Sequence, residues 1–176
     1  LNSSIYSSNV DDIKKCNFFI IAVPTPIYRS KKPNLSFLIH ATNLVAKYIK
    51  KNDIFFLEST VYPNVTEKVC IPIIEKKSKL KNNEDFYAGY SPERINPGDK
   101  KHSVEKIHKI VALPSNKESV LQNVKKVYSV LSKKIIFSKS IMEAETSKVI
   151  ENIQRDLNIA LMNEIFLICN KLKINF

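Results

Sequence analysis

Lys148, Asn152 and Arg155 recur at i, i+4 and i+7 within an otherwise apolar stretch, so one helical face offers an ammonium, a carboxamide and a guanidinium to one ligand. An ammonium beside a carboxamide suits a developing alkoxide or a hydrated aldehyde, because both donate without reorganising as negative charge appears. The plainer alternative pairs Lys148 with Glu145 or Glu151 at the surface and turns Asn152 to solvent. A second group of polar residues is Gly89-Tyr90-Ser91-Pro92-Glu93-Arg94-Ile95-Asn96-Pro97-Gly98-Asp99, which sets a carboxylate beside a guanidinium between two prolines. Those prolines fix φ and remove two donors, so the segment cannot continue a central strand; it is either an ordinary Pro/Gly loop or a rigid turn that holds something.

The surrounding elements decide between these readings. Asn17–Val23 is a continuous apolar run stopped by Pro24, which predicts a strand buried on both faces. Leu35, Leu38, Ile39, Thr42, Val45, Ala46 and Ile49 then follow as one face of an amphipathic helix. Asp53–Leu57 predicts a second strand, and Asn64 with Glu67 a cap-like start to a helix bent at Pro72. Phe86–Ala88 and His108–Leu113 are further strands, and Ser115 with Glu118 predicts a capping box for a helix with Val120, Val124, Val127 and Leu131 inward. Ile135–Phe137 closes the series. A last box, Ser140 with Glu143, opens one long helix that runs almost to the terminus, apolar on much of its circumference and so expected to pack between layers or against a second subunit.

Apolar strands alternating with amphipathic helices predict an α/β fold with a doubly wound parallel sheet. Ligands of such sheets bind outside the carboxyl ends of the strands. Three successive strands here end in polar turns: Val23-Pro24-Thr25-Pro26, Glu58-Ser59-Thr60-Val61, and Tyr90-Ser91-Pro92-Glu93-Arg94. Each alone reads as turn formers or caps, and their shared edge is what suggests a site.

Composition narrows the partners. The 176 residues are 44% hydrophobic, enough for a compact core, and the net charge of +11 raises the question of a nucleic-acid partner. Only Arg29, Arg94 and Arg155 are arginine, the other cations being lysines spread along every helix, which predicts a solvated coat and no nucleic acid. Cys16, Cys70 and Cys169 have neither disulfide nor metal spacing and are expected to be small buried thiols; His40, His102 and His108 are expected at the surface, and no metal is expected. No apolar run reaches about eighteen residues and no signal is visible, so no membrane span and a cytoplasmic setting are expected.

Four segments in register, AVPTPI (22 to 27), ESTVYPNVTE (58 to 67), GYSPERINPGD (89 to 99) and EAETSKVIENIQRDLNIALMNE (143 to 164), resemble the UDP-glucose/GDP-mannose dehydrogenase family, nearest to the branch acting on UDP-N-acetylhexosamines. The resemblance covers nearly the whole chain. It implies NAD-dependent, two-step oxidation of a sugar C6 hydroxyl through an aldehyde to a carboxylate, feeding surface-polysaccharide synthesis. It further implies a UDP-sugar substrate and a homodimer formed through the central helix. Carried over residue by residue, Val23, Thr25, Ser59, Thr60 and Glu93 match cofactor positions, with Thr60 also near a water at the reacting centre. Glu93 matches the acid/base residue, Arg94 and Ile95 help hold the nucleotide-sugar, and Lys148 with Asn152 matches the pair that stabilises oxyanions.

The departures are equally specific. A chain whose glycines are Gly89 and Gly98 has no glycine-rich βα turn to approach a pyrophosphate. The family's nucleophilic cysteine has no counterpart among the three present. Asn64 stands where the family has glycine, and a glycine pair expected around Leu113 to Ser115 is missing. The resemblance therefore implies residues 1–139 as the later part of a Rossmann-like NAD-binding domain and 140–176 as the start of the central helical domain. The expected activity belongs to a longer enzyme, and the chain alone is expected to be inactive. The competing expectation is a truncated remnant acting at most through association of its long helix.

Overall fold

The computed structural model describes residues 6–93 and 108–175. A short 3-10 turn at Val10–Lys15 leads into β1 (Phe18–Ile21), and α1 (Ser36–Tyr48) connects it to β2 (Ile54–Leu57). A π-helical turn at Thr66–Cys70 runs into α2 (Ile71–Ser78), followed by β3 (Tyr87–Tyr90) and β4 (Lys109–Ala112). Then come α3 (Glu118–Ser129), β5 (Ile135–Ser138) and the 32-residue α4 (Ile141–Leu172).

The five strands lie in sequence order, β1-β2-β3-β4-β5. Pairing is parallel except between β3 and β4, where Tyr90 meets Ala112 in antiparallel sense, so the sheet is the expected doubly wound, mostly parallel one with a single pair reversed. A parallel return needs a crossover, usually helical, whereas an antiparallel one does not, and the apolar types of β4 do not by themselves declare its sense.

Both faces are covered, by different helices. Phe19, Ile21, Phe55, Leu57, Ala88 and Tyr90 share one core with α1, α2 and the first turn of α4. Ile54, Phe56, Tyr87 and Val111 face the other way, against Val120, Val124 and Tyr128 of α3. β2 and β3 are consequently buried on both sides. β1 is not: Ile20 is 42% exposed, because only one face of β1 is fully covered by the described residues, which departs from the reading of a doubly buried strand. Gly89 lies at the tightest point, where a Cβ would run into the Phe56 ring and stand 2.7 Å from the Ala112 carbonyl.

Two of the three predicted caps do not form. Ser115 instead accepts from the Lys117 amide, and α3 begins without a side-chain cap; its third inward residue is Tyr128, while Val127 is half-buried and Leu131 is 38% exposed. Asn64 adopts φ 74°, the left-handed region that glycine favours and asparagine tolerates, so it cannot cap through its side chain in the usual extended geometry. Ser140 does cap α4, accepting from the Glu143 amide at 3.1 Å. Pro72 sits in the first turn of α2, directly after the π-helical turn, and this is where the helix departs from regular geometry. Ile39, expected inward, is 39% exposed. Among the described residues no helix is long and apolar enough to cross a membrane.

Candidate functional site

Ile21, Leu57 and Tyr90 lie in one row across the sheet, so the turns that follow them leave from one edge. The first two turns are stitched together: the Thr25 hydroxyl donates to the Thr60 carbonyl at 2.6 Å, and the Ser59 hydroxyl donates to the Val23 carbonyl at 2.7 Å. The third is fixed to β4, with the Ser91 hydroxyl donating to the Ile110 carbonyl at 2.7 Å and its amide to Leu57 at 3.0 Å. A cavity of about 320 Å³ opens between them, walled by Val23, Thr25, Ser59, Thr60, Glu58 and Glu93 among others. The five expected cofactor residues thus line one space. A slightly larger cavity, about 340 Å³, lies away from them between α3 and β5 and contains no residue expected to do chemistry.

Two carboxylates enter the first cavity, and they share one cation. Lys109 Nζ stands 3.4 Å from Glu58 Oε1, 3.6 Å from Glu93 Oε2 and 3.4 Å from the Pro92 carbonyl, with the Tyr128 ring 5.7 Å away. Burial holds the Tyr128 phenol far above its ordinary range, and Glu58 pushes it the same way, so it stays protonated. Lys109 lies in none of the quoted motifs, and Glu58, which opens the second turn, is given no role there. The available signal is a lone charge heading the apolar run Lys109–Leu113, where a strand that began in solvent would leave it exposed.

Lys148 and Asn152 are not in the cavity's wall. Lys148 is buried, with Nζ 3.9 Å from Glu151 Oε2, and Arg155 reaches the same carboxylate at 3.6 Å, so Glu151 joins the two cations on one helical face. Asn152 beside them is half-buried. Glu145, the other offered partner of Lys148, is occupied elsewhere. Fully buried, it accepts from the Asn64 amide at 2.5 Å, the Thr66 amide at 2.9 Å and the Thr66 hydroxyl at 2.7 Å. The carboxylate of α4 therefore supplies the cap that Asn64 and Glu67 were expected to make. Arg94, Ile95 and His102 lie outside the described residues.

The thiols divide by environment. Cys16 is exposed and Cys169 half-buried, correcting the expectation of three buried thiols; only Cys70 is enclosed, and burial pushes it up to about 11. Alkylation at mildly alkaline pH should therefore consume Cys16 quickly and leave Cys70 intact until denaturant is added, read by peptide mass mapping. Labelling of Cys70 at the rate of Cys16 in the folded chain would contradict this packing. His40 and His108 are exposed, as expected.

Comparison with known proteins adds four findings. Residues 3–132 match the model of the UDP-glucose/GDP-mannose dehydrogenase family, NAD binding domain, and residues 142–176 match that family's central domain. The UDP-N-acetyl-D-glucosamine 6-dehydrogenase of Pseudomonas aeruginosa is 47% identical over 171 residues, which is 97% of this chain and 40% of the relative. Protein CapL of Staphylococcus aureus is 51% identical over the same shares. The solved UDP-D-ManNAc dehydrogenase of Pyrococcus horikoshii superposes with a TM-score of 0.86 at 32% identity, covering 96% of this chain and 40% of that one. The chain thus spans about 40% of the length of the relatives it matches.

Proposed function

Because the chain belongs to the UDP-glucose/GDP-mannose dehydrogenase family, we propose that it contributes one wall of an NAD-dependent enzyme that oxidises the C6 hydroxyl of a UDP-sugar to a uronic acid. The sugar is a UDP-N-acetylhexosamine, gluco or galacto, or UDP-glucose, and the product serves surface-polysaccharide synthesis in the cytoplasm. The observation that carries this reading is the row of three strand-end turns converging on one cavity, with hydroxyls from two of them and a carboxylate from the third. We place the domain boundary near Ser140, where the sheet gives way to α4. The apolar residues that α4 exposes beyond Ile150, including Leu157, Leu161 and Phe166, support pairing with a second copy.

The cavity suits the nicotinamide side of the cofactor: Val23, Thr25, Ser59 and Thr60 offer a small, hydroxyl-rich wall at the carboxyl edge of the sheet. A glycine-rich pyrophosphate cradle is not among these 176 residues. Val23, Thr25, Ser59 and Thr60 would hold the nicotinamide end of NAD, which would supply the hydride acceptor for the oxidation at sugar C6. Glu93 takes the hydroxyl proton as the carbonyl forms, and it is suited to exchange that proton with water because its side chain is 46% exposed. Thr60 orients the water at the reacting centre. Lys148 and Asn152 donate to the C6 oxygen while it is anionic, and Arg94 with Ile95 holds the nucleotide-sugar. None of the three thiols lines the cavity, so the covalent route of the second oxidation is not provided here.

The test is a graft. The chain replaces the matching 171-residue segment of the Pseudomonas relative, and NADH formation is followed with UDP-N-acetylglucosamine and UDP-glucose. Turnover is expected with at least one, and Glu93→Gln should lower kcat about a hundredfold. A folded graft without UDP-sugar-dependent NADH formation, beside an active parent, would refute the proposal.

A further inference from the structure

Lys109 has no part in the chemistry just described, yet its side chain is only 8% exposed, against 13% for Glu58 and 46% for Glu93. We propose that Lys109 is a positioning residue that fixes the Glu93 carboxylate at the mouth of the cavity, with Glu58 as its second anchor. This rests on the reading of Glu93 as the acid/base group.

Three observations support it. First, the antiparallel register puts it there: Tyr90 pairs with Ala112, and continuing that register past the end of β3 brings Lys109 opposite Glu93. In a parallel β4 the same residue would open the strand at the far edge of the sheet. Second, the ammonium is held from three directions, by Glu58 after β2, by the Pro92 carbonyl of the turn itself, and by the Tyr128 ring of α3. A cation so confined can confine the carboxylate that it contacts. Third, Glu58 is nearly buried, and Lys109 Nζ at 3.4 Å sets a positive charge beside its carboxylate. Removing that ammonium takes away the charge that the two carboxylates share at the cavity wall.

Two measurements test this. In the 176-residue chain, amide hydrogen exchange across 90–93 should quicken about tenfold in Lys109→Met and stay near the parent rate in Lys109→Arg. In the graft, Lys109→Met should lower kcat about thirtyfold with the KM for NAD within about twofold, and Lys109→Arg should restore most of the loss. Unchanged exchange in Lys109→Met overturns the proposal. So does faster exchange with an unaltered kcat, since the turn would then move without consequence. An inactive graft that still carries Lys109 counts against the dehydrogenase reading alone, and the exchange result then decides whether Lys109 holds the turn. Should Lys109→Met not fold, Glu58→Gln removes only the second anchor; it should also quicken exchange across 90–93, and parent-like exchange there overturns the proposal.

Discussion

Glu145→Ala is expected to destabilise the chain by about 3 kcal/mol, because it leaves two backbone N–H groups and a buried hydroxyl without their acceptor. The three donors come from Asn64 and Thr66, at the start of the helix that leads into α2, and the acceptor comes from the first turns of α4. A single truncation therefore uncaps one helix and detaches another. Urea unfolding should show a lower midpoint, and trypsin should gain access to Lys68 and Lys148 together. A midpoint shift equivalent to less than about 1 kcal/mol would mean that water replaces the carboxylate without loss. The acid side of the stability curve gives an independent readout. Burial pushes the Glu145 carboxyl above its ordinary value, and outweighs the donors from Thr66 and Asn64 that pull it down. The folded chain thus binds this proton more tightly than the unfolded one. Its contribution to stability is complete below the unfolded value and is lost as pH rises through the folded one. As pH rises past the ordinary glutamate range and through the raised folded value, the parent chain should lose stability relative to Glu145→Gln, whose amide does not titrate. Parallel curves for the two would show that the carboxyl's affinity for protons is the same in both states.

Lys148→Ala in the graft should lower kcat about a thousandfold, the upper end of what one oxyanion donor contributes, if the ammonium serves the anionic C6 oxygen as proposed; a buried lysine is not readily replaced by a solvent cation. The change in stability should be small by comparison. Glu151, the partner at 3.9 Å, keeps Arg155 at 3.6 Å and is itself 30% exposed, so no buried charge is left alone. Lys148→Arg should not recover the rate, since a planar fork cannot occupy the place of a compact ammonium. A rate within about threefold of the parent in Lys148→Ala would remove this residue from the chemistry and leave it as part of the Glu151 network.

The elements that were legible are those whose information is local. Phe55, Phe56 and Leu57 announce a buried strand by their types, and Ser140 announces a cap three residues ahead of the amide it accepts from. The common edge of the three turns also follows from sequence, since each turn is simply what comes after a strand. What escaped is set by pairs far apart in the chain. Glu145 caps Thr66 across a separation of 79 residues, and no spacing rule links them. Likewise, Lys109 meets Glu93 only because β4 runs against β3, and the apolar types of a strand do not declare its direction. The exposed face of β1 was hidden for a related reason: Phe18 to Ile21 have the apolar types of a central strand, while the helices that cover one face of them stop short on the other.

The attachment of α4 has a mechanical side. Ile141, Ala144, Glu145 and Lys148 are its buried residues, all in the first eight of 32, so the helix is clamped at one end. From Glu145 to Leu172 a rigid rod extends about 40 Å at 1.5 Å per residue. A tilt of about 5° at the clamp would then carry the far end through roughly 3.5 Å, a displacement comparable to the width of a water molecule. Because that clamp includes the carboxylate that grips Asn64 and Thr66, a few residues beyond Thr60, the base of α4 and the second turn of the cavity are held by one side chain.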